Sequence, residues 1–384
     1  MQRREFLKLT GAASVACLAP RFALAGTAPG YQNLLVLVEL KGGNDGLNTV
    51  VPYGDQTYYS LRRRIGVRRD DVLQLDGRTG LHPSLAGLMP LWQARELAVV
   101  QGVGYPHPNL SHFRSIEIWD TASKSEQYLA DGWLTRAFAT RPVPRRYAAD
   151  GVVIGSQDLG PLAGAGTRAI ALANTAQFER EARMAHPVRV RGNSALAHVL
   201  KVEADVAQAA TRLDADHVFR TSFPPGPFGN AVKTAAQVIA SPSGVAAVRI
   251  TLNGFDTHVN QANIHANLLK QFAEGLAALK SALVEVGRWD TTLVMTYAEF
   301  GRRPQENGSN GTDHGTASAH FVAGGRVRGG LYGQPPQLDR LQNGNIVYAV
   351  DFRSLYATAL ESWWGVPTAS ALGERFAPLD VLRA

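Results

Sequence analysis

The sequence predicts an α/β protein, with helices layered on a mostly parallel central sheet. Three observations predict it. Short, nearly unbroken apolar runs such as Leu34-Leu35-Val36-Leu37-Val38 recur along the chain, and continuous rather than alternating hydrophobicity marks strands covered on both faces. Stretches with helical spacing separate these runs, which is the order that builds parallel sheets. The composition is that of a globular protein, with 45% hydrophobic and 18% charged residues among 384, and ~360 residues can bury a sizeable core.

The first strand, 34–40, runs into Lys41-Gly42-Gly43-Asn44-Asp45-Gly46, whose glycines turn the chain and expose Asn44 and Asp45 at the strand's carboxyl end. A helix is expected over 82–92 and a buried strand over 97–100, followed by short strands at 152–154 and 169–172. Residues 178–218, rich in Ala, Glu, Arg and Gln, read as one or two surface helices, and Phe223-Pro224-Pro225-Gly226-Pro227 is the clearest break. A helix over 230–240 and a strand over 248–252 come next. From 267 to 286 the apolar positions Leu268, Leu269, Phe272, Leu276, Leu279, Leu283 and Val286 fall three and four residues apart, one face of an amphipathic helix. The strand 291–297 ends in Ala298-Glu299-Phe300-Gly301-Arg302, and a helix over 352–364 stops at Gly365. There is no internal repeat. The expected organisation is a single domain over 26–384 with a helical insertion around 178–228.

The first 25 residues read as an address. Arg3-Arg4-Glu5-Phe6-Leu7-Lys8 resembles the bacterial twin-arginine export signal, and Ala23-Leu24-Ala25 follows a weakly apolar stretch as a small-x-small cleavage site. That resemblance implies passage through the twin-arginine machinery, cleavage near Ala25, and a periplasmic or secreted protein. No run of 18 apolar residues is present, so no integral membrane segment is expected. The only cysteine, Cys17, lies in this leader, which excludes a disulfide framework. Of the formal charge of +7, the leader carries +3. The longest basic run, Arg62-Arg63-Arg64, lacks interleaved aromatics and reads as a solvated face; no nucleic-acid partner is expected.

In open α/β sheets ligands collect at the carboxyl ends of strands. That rule selects Asp45, the Ser111-His112 step, Asp256-Thr257-His258 and Glu299, with Thr312-Asp313-His314-Gly315 in a polar, glycine-rich loop just beyond. Mixed Asp, Glu and His suit Zn²⁺ or Mn²⁺, which accept imidazole and carboxylate together. Ser111 opens a helix, where serine is a favoured cap and where an anion also binds. His112 supports it from the next position, Arg114 either assists an anion or covers the helix, and His320 is either a ligand or a strand-edge residue.

These segments resemble a family. Leu40-Lys41-Gly42-Gly43-Asn44-Asp45-Gly46-Leu47-Asn48, Ser111-His112-Phe113, Gly132-Trp133-Leu134, Gly254-Phe255-Asp256-Thr257-His258, Ala298-Glu299-Phe300-Gly301-Arg302 and Thr312-Asp313-His314-Gly315 are similar to domain of unknown function 1501, a family of secreted bacterial proteins. The resemblance implies the fold of the alkaline phosphatase and sulfatase superfamily, a three-layer α/β/α sandwich with metals at the strand ends. It implies Ser111 as nucleophile, one or two divalent ions on Asp45, Asp256, His258, Glu299, Asp313 and His314, and Asn44, His112, Arg114, Arg302 and His320 in support. Phosphatases and sulfatases end the corresponding strand with Asp-His-Gly where this chain has Glu299-Phe300-Gly301, and phenylalanine cannot ligate. The implied activity is hydrolysis of small anionic phosphate or sulfate esters; the alternative is a binding or assembly protein that has lost turnover.

Overall fold

The computed structural model describes residues 30–172, 213 and 217–383. The leader and most of the 178–228 segment lie outside the described residues. The order of elements begins with β1 (Leu34–Lys41), β2 (Leu97–Gly104), α1 (His112–Thr121), α2 (Trp133–Thr140), β3 (Ala149–Ile154) and β4 (Ala169–Leu172). It continues with α3 (Pro227–Ala240), β5 (Val245–Asn253), α4 (Gln261–Glu285) and β6 (Thr292–Tyr297). Then come β7 (Arg302–Glu306), β8 (Thr312–His314), β9 (Ser318–Ala323), β10 (Gly330–Gly333), β11 (Val350–Asp351) and α5 (Phe352–Ala357).

Nine of these strands form one sheet in the order β10-β2-β9-β6-β1-β5-β3-β4, with β11 beside β2. All the pairings are parallel except those of β9, which runs against β2 and β6. The apolar run of β1 explains its central place. Leu34, Val36, Val38 and Leu40 enter a core shared with α3 and α4, while Leu35 and Leu37 enter a second core shared with α1, α2 and α5. Helices thus cover both faces, as expected of a continuous apolar strand. Leu268, Leu269, Phe272, Leu276, Leu279 and Leu283 of α4 all lie in the first core. The indoles of Trp363 and Trp364, at the end of the helical stretch stopped by Gly365, donate to the carbonyls of Leu34 (3.0 Å) and Asn33 (2.8 Å) and fix where β1 begins.

Two local expectations are corrected. The 82–92 helix is a 3₁₀ turn, Pro83–Leu88, followed by one short α-helix, Met89–Gln93, because Pro90 lacks the N–H that a continuous helix would use; Pro83, at the first position, costs no such bond. The segment carrying Asp313 and His314 is a strand rather than a loop. β8 pairs antiparallel with β7, placing Arg302 opposite His314. Backbone bonds from Thr312 to the Thr257 carbonyl (3.2 Å) and from Gln261 to that of Asn310 (2.8 Å) dock this hairpin on the loop after β5.

Candidate metal centre

The centre forms where β1, β2, β5 and β6 end. After β1, Gly42 and Gly43 adopt φ of +117° and +80°, a region open to glycine. Their lack of side chains matters equally. A Cβ on Gly42 would strike the backbone at Phe255 and Asp256, and one on Gly43 would strike the Phe300 ring. The two glycines therefore let the loops after β5 and β6 close onto β1, bringing Asp256 and Glu299 to the two nitrogens of the His112 ring.

Three imidazoles converge on the Asp256 carboxylate. Nε2 of His258 lies 3.0 Å and Nε2 of His314 3.3 Å from its Oδ1, and Nε2 of His112 lies 3.5 Å from its Oδ2. The Nε2 atoms of His258 and His314 are 2.9 Å apart, and one potential ligand atom from each of His112, Asp256 and His314 falls within 4.8 Å of the others. Ligands about 2.1 Å from one ion sit roughly 3.0 Å apart at right angles and about 3.4 Å apart in a tetrahedron, so these spacings fit a single ion.

The far side of each ring is tethered. His112 Nδ1 lies 2.9 Å from Glu299 Oε1, His314 Nδ1 2.7 Å from the Leu110 carbonyl, and His258 Nδ1 3.5 Å from Asp313 Oδ1. A Nδ1–H given to an acceptor leaves Nε2 as the bare lone pair, the arrangement that metal-binding histidines use. Phe300, buried beside them, packs its ring 4.9 Å from that of His112 and 4.4 Å from that of His314. The residue that cannot ligate instead restrains two rings that can.

Electrostatics divide the cluster. Burial works to raise the Asp256 pKa, but the Arg302 guanidinium, 2.7 Å away, outweighs it and holds the carboxyl below its usual range. Arg302 is itself buried, donating to the carbonyls of Gly42, Gly43, Phe255 and Thr312. The bond to Glu299 raises the pKa of His112, whereas burial lowers that of His314.

The remaining sequence candidates are placed as follows. The Asp45 carboxylate is fully buried. One oxygen caps the Gly46–Thr49 turn at the amides of Leu47 and Asn48, and the other meets Arg62 and Gln261. Burial would raise its pKa, yet Arg62 holds it below the usual range. Both oxygens are engaged, and Asp45 is not brought to the cluster. Glu299 and Asp313 stand behind His112 and His258 rather than beside Asp256, although Glu299 Oε2 is buried without a partner among the described residues. Asn44 accepts from His265 (2.9 Å) and Thr49 (3.0 Å) in the interior. Arg114 clasps the carbonyls of Lys124, Ser125 and Gln127 and stacks on Tyr128, so it covers the helix. His320 is buried against Trp119, away from the cluster. Ser111 is exposed, directly before His112, and its side chain makes no capping bond to α1.

Two residues have roles that the sequence reading did not give them. His112 joins the cluster itself, a placement its position at a helix start beside Ser111 hinted at. Arg62 is 1% exposed rather than solvated, and nothing in a run of three arginines singles it out.

Among solved structures, the chain is similar to the lipoteichoic acid synthase LtaP from Listeria monocytogenes, at 10% identity over 80% of this chain and 67% of that one, TM-score 0.35. It is similar to the C-terminal periplasmic domain of EcEptC from Escherichia coli in complex with zinc, at 10% identity over 76% and 73%, TM-score 0.37. A magnesium-bound variant of TAB5 alkaline phosphatase gives 11% identity over 77% and 92%, TM-score 0.37. No curated protein matches the chain. Residues 32–365, most of the chain, match the family described as protein of unknown function DUF1501, and this protein belongs to that family.

Proposed function

We propose that this protein is a metal-dependent hydrolase of phosphate or sulfate esters, exported by the twin-arginine route. The observation that carries this reading is the convergence of the His112, His258 and His314 Nε2 atoms on Asp256 while each Nδ1 faces an acceptor. His112, Asp256 and His314 would hold one divalent ion, with His258 Nε2 2.9 Å from that of His314 as a further donor, and imidazole with carboxylate suits Zn²⁺ or Mn²⁺. When bound, the ion supplies Lewis acidity at the ester oxygens. The chain supplies the rest. Ser111 offers a hydroxyl not spent on its helix, at the end where amide N–H groups favour an anion. Glu299 and Asp313 keep their histidines turned, and Arg302 keeps Asp256 ionised.

One ion is expected rather than two, because Arg62 and Gln261 already engage Asp45 and Phe300 offers no donor atom. The same two features favour a second reading, a binding or assembly protein without turnover.

Elemental analysis of the mature protein, paired with assays of aryl phosphates and sulfates, separates the readings. One equivalent of zinc or manganese, lost in His314→Ala together with ester hydrolysis, supports the hydrolase. Stoichiometric metal with no turnover on any ester supports the binding protein, and absence of metal binding overturns the hydrolase. Export is tested separately, by N-terminal sequencing of the periplasmic form. It should begin at Gly26, and an intact Met1 would refute the leader.

A further inference from the structure

The 105–110 segment, which delivers Ser111 and His112 to the centre, also forms one wall of a cleft of about 470 Å³, and residues 342–348 form the other. Cleft and centre meet at Leu110. This residue lines the cleft while its carbonyl holds His314 Nδ1 at 2.7 Å. Thr316, two residues beyond His314, lines it as well.

The lining chemistry is selective. It includes the amides Gln342, Asn343 and Asn345, the His107 imidazole and the rings of Tyr105 and Tyr348, but no Lys, Arg, Asp or Glu. A cation would find no carboxylate there, and an anion no guanidinium or ammonium, only the single imidazole of His107. A wholly apolar group would take water from the amides and return no hydrogen bond. Asn345 is 8% exposed, gives its amide nitrogen to the Asn343 carbonyl (3.1 Å), and has an amide oxygen with no partner among the described residues. A buried acceptor in that state calls for a donor. The Tyr105 hydroxyl is spent on Ser115 (2.8 Å) and the Asn109 amide (3.1 Å), and its ring is 3% exposed against Phe352. Tyr348, 37% exposed, offers the aromatic surface of the cleft.

An exposed aromatic face beside uncharged amides matches a ligand with C–H faces and a rim of hydroxyls. We propose that this cleft is a subsite for a neutral, hydroxyl-rich glycosyl group. Its role rests on the hydrolase reading, with the anionic end of the ester at the metal centre and the glycosyl leaving group in the cleft; the binding itself does not depend on turnover.

The test uses the mature protein and its Tyr348→Ala and Asn345→Ala variants, with folding checked by circular dichroism. Saturation-transfer NMR with the methyl glycosides of glucose, galactose and N-acetylglucosamine reads binding directly. The ratio of kcat/KM for glucose 6-phosphate and 6-sulfate over the p-nitrophenyl esters reads selectivity. At least one glycoside should bind, and Tyr348→Ala should weaken that binding and lower the selectivity ratio about tenfold, the scale of one lost pocket contact. Glycoside binding that neither variant alters, or no glycoside binding at all, overturns the subsite. Aryl-ester turnover without glycoside binding would sink the subsite and leave the hydrolase reading standing. Glycoside binding lost in Tyr348→Ala, with every ester inert, would do the reverse.

Discussion

Ser111 stands at the N-cap of α1 without performing the bond that position usually supplies. Losing a capping serine costs about 1 kcal/mol, but Ser111→Ala removes no such bond. Its unfolding free energy should therefore stay within about 0.5 kcal/mol of the parent, as for ordinary surface changes. Hydrolysis of an aryl phosphate or sulfate should fall to background in the same variant. Denaturant titration and the assay read the two halves separately, and retained turnover would remove Ser111 as nucleophile. Asp313 makes the complementary case. It faces His258 Nδ1 at 3.5 Å and accepts from Asn307 at 3.1 Å, so it orients a ligand rather than being one. Asp313→Ala should weaken metal binding about tenfold to a hundredfold, measured by competition with a chromophoric chelator. Unchanged affinity would make its contact with His258 incidental.

At the scale of elements, what the sequence revealed and what it hid differ in kind. β1 and α4 are legible because each buries a pattern: an unbroken apolar run for a strand covered on both faces, a three- and four-residue spacing for a helix on a sheet. The β7–β8 hairpin has no such pattern. It docks through backbone bonds to residues 257–261, joined by the Asn307 and Thr312 side chains on the His258 carbonyl and Gln261, and none of these bonds follows a periodic pattern. The candidate site was legible as a set of residue types at strand ends. Which carboxylate oxygen faces a ligand, as in Asp256, and which caps a turn or meets an arginine, as in Asp45, depends on loop geometry. Arg62 was misread for the same reason: a charge run looks solvated until its carboxylate partner is placed. The hairpin gives a test at this scale. A Cβ on Gly311 would strike the backbone of His258, so Gly311→Ala should push the hairpin off its loop. Overpacking of this kind costs roughly 1–3 kcal/mol, and His314 should move away from Asp256. Metal titration should show weakened binding along with the lowered stability. Unaltered affinity would mean the hairpin can shift without carrying His314.

For the whole molecule, the buried titratable groups set opposing limits on stability. Burial pulls the pKa of His82 down to about 4 and those of His265 and His320 to about 3. Burial pushes Asp120 the other way, to about 8, even though Arg249 opposes the shift. The histidines are neutral in the fold but take up protons on unfolding below their ordinary pKa of about 6.5, so their contribution is lost as pH falls from that value. Asp120 is protonated in the fold up to about pH 8 but ionises in the unfolded chain above ~3.9, so its contribution is lost as pH rises between those values. In the acid range the three histidines outweigh the single carboxyl, leaving a net uptake of up to about two protons and a slope approaching 3 kcal/mol per pH unit. Above about 7 those three histidines differ little between the two states, and Asp120 reverses the slope by less than about 1.4 kcal/mol per unit, with His112, whose pKa is raised, adding to the fall. Stability should therefore peak close to pH 6.5 and decline on both sides, more steeply on the acid side. Urea midpoints between about pH 4.5 and 8 measure the curve. Asp120→Asn should flatten the alkaline limb and steepen the acid one, while His320→Gln should make the acid limb shallower. A midpoint that climbs steadily through pH 8 would show that Asp120 is ionised in the fold, with Arg249 outweighing burial.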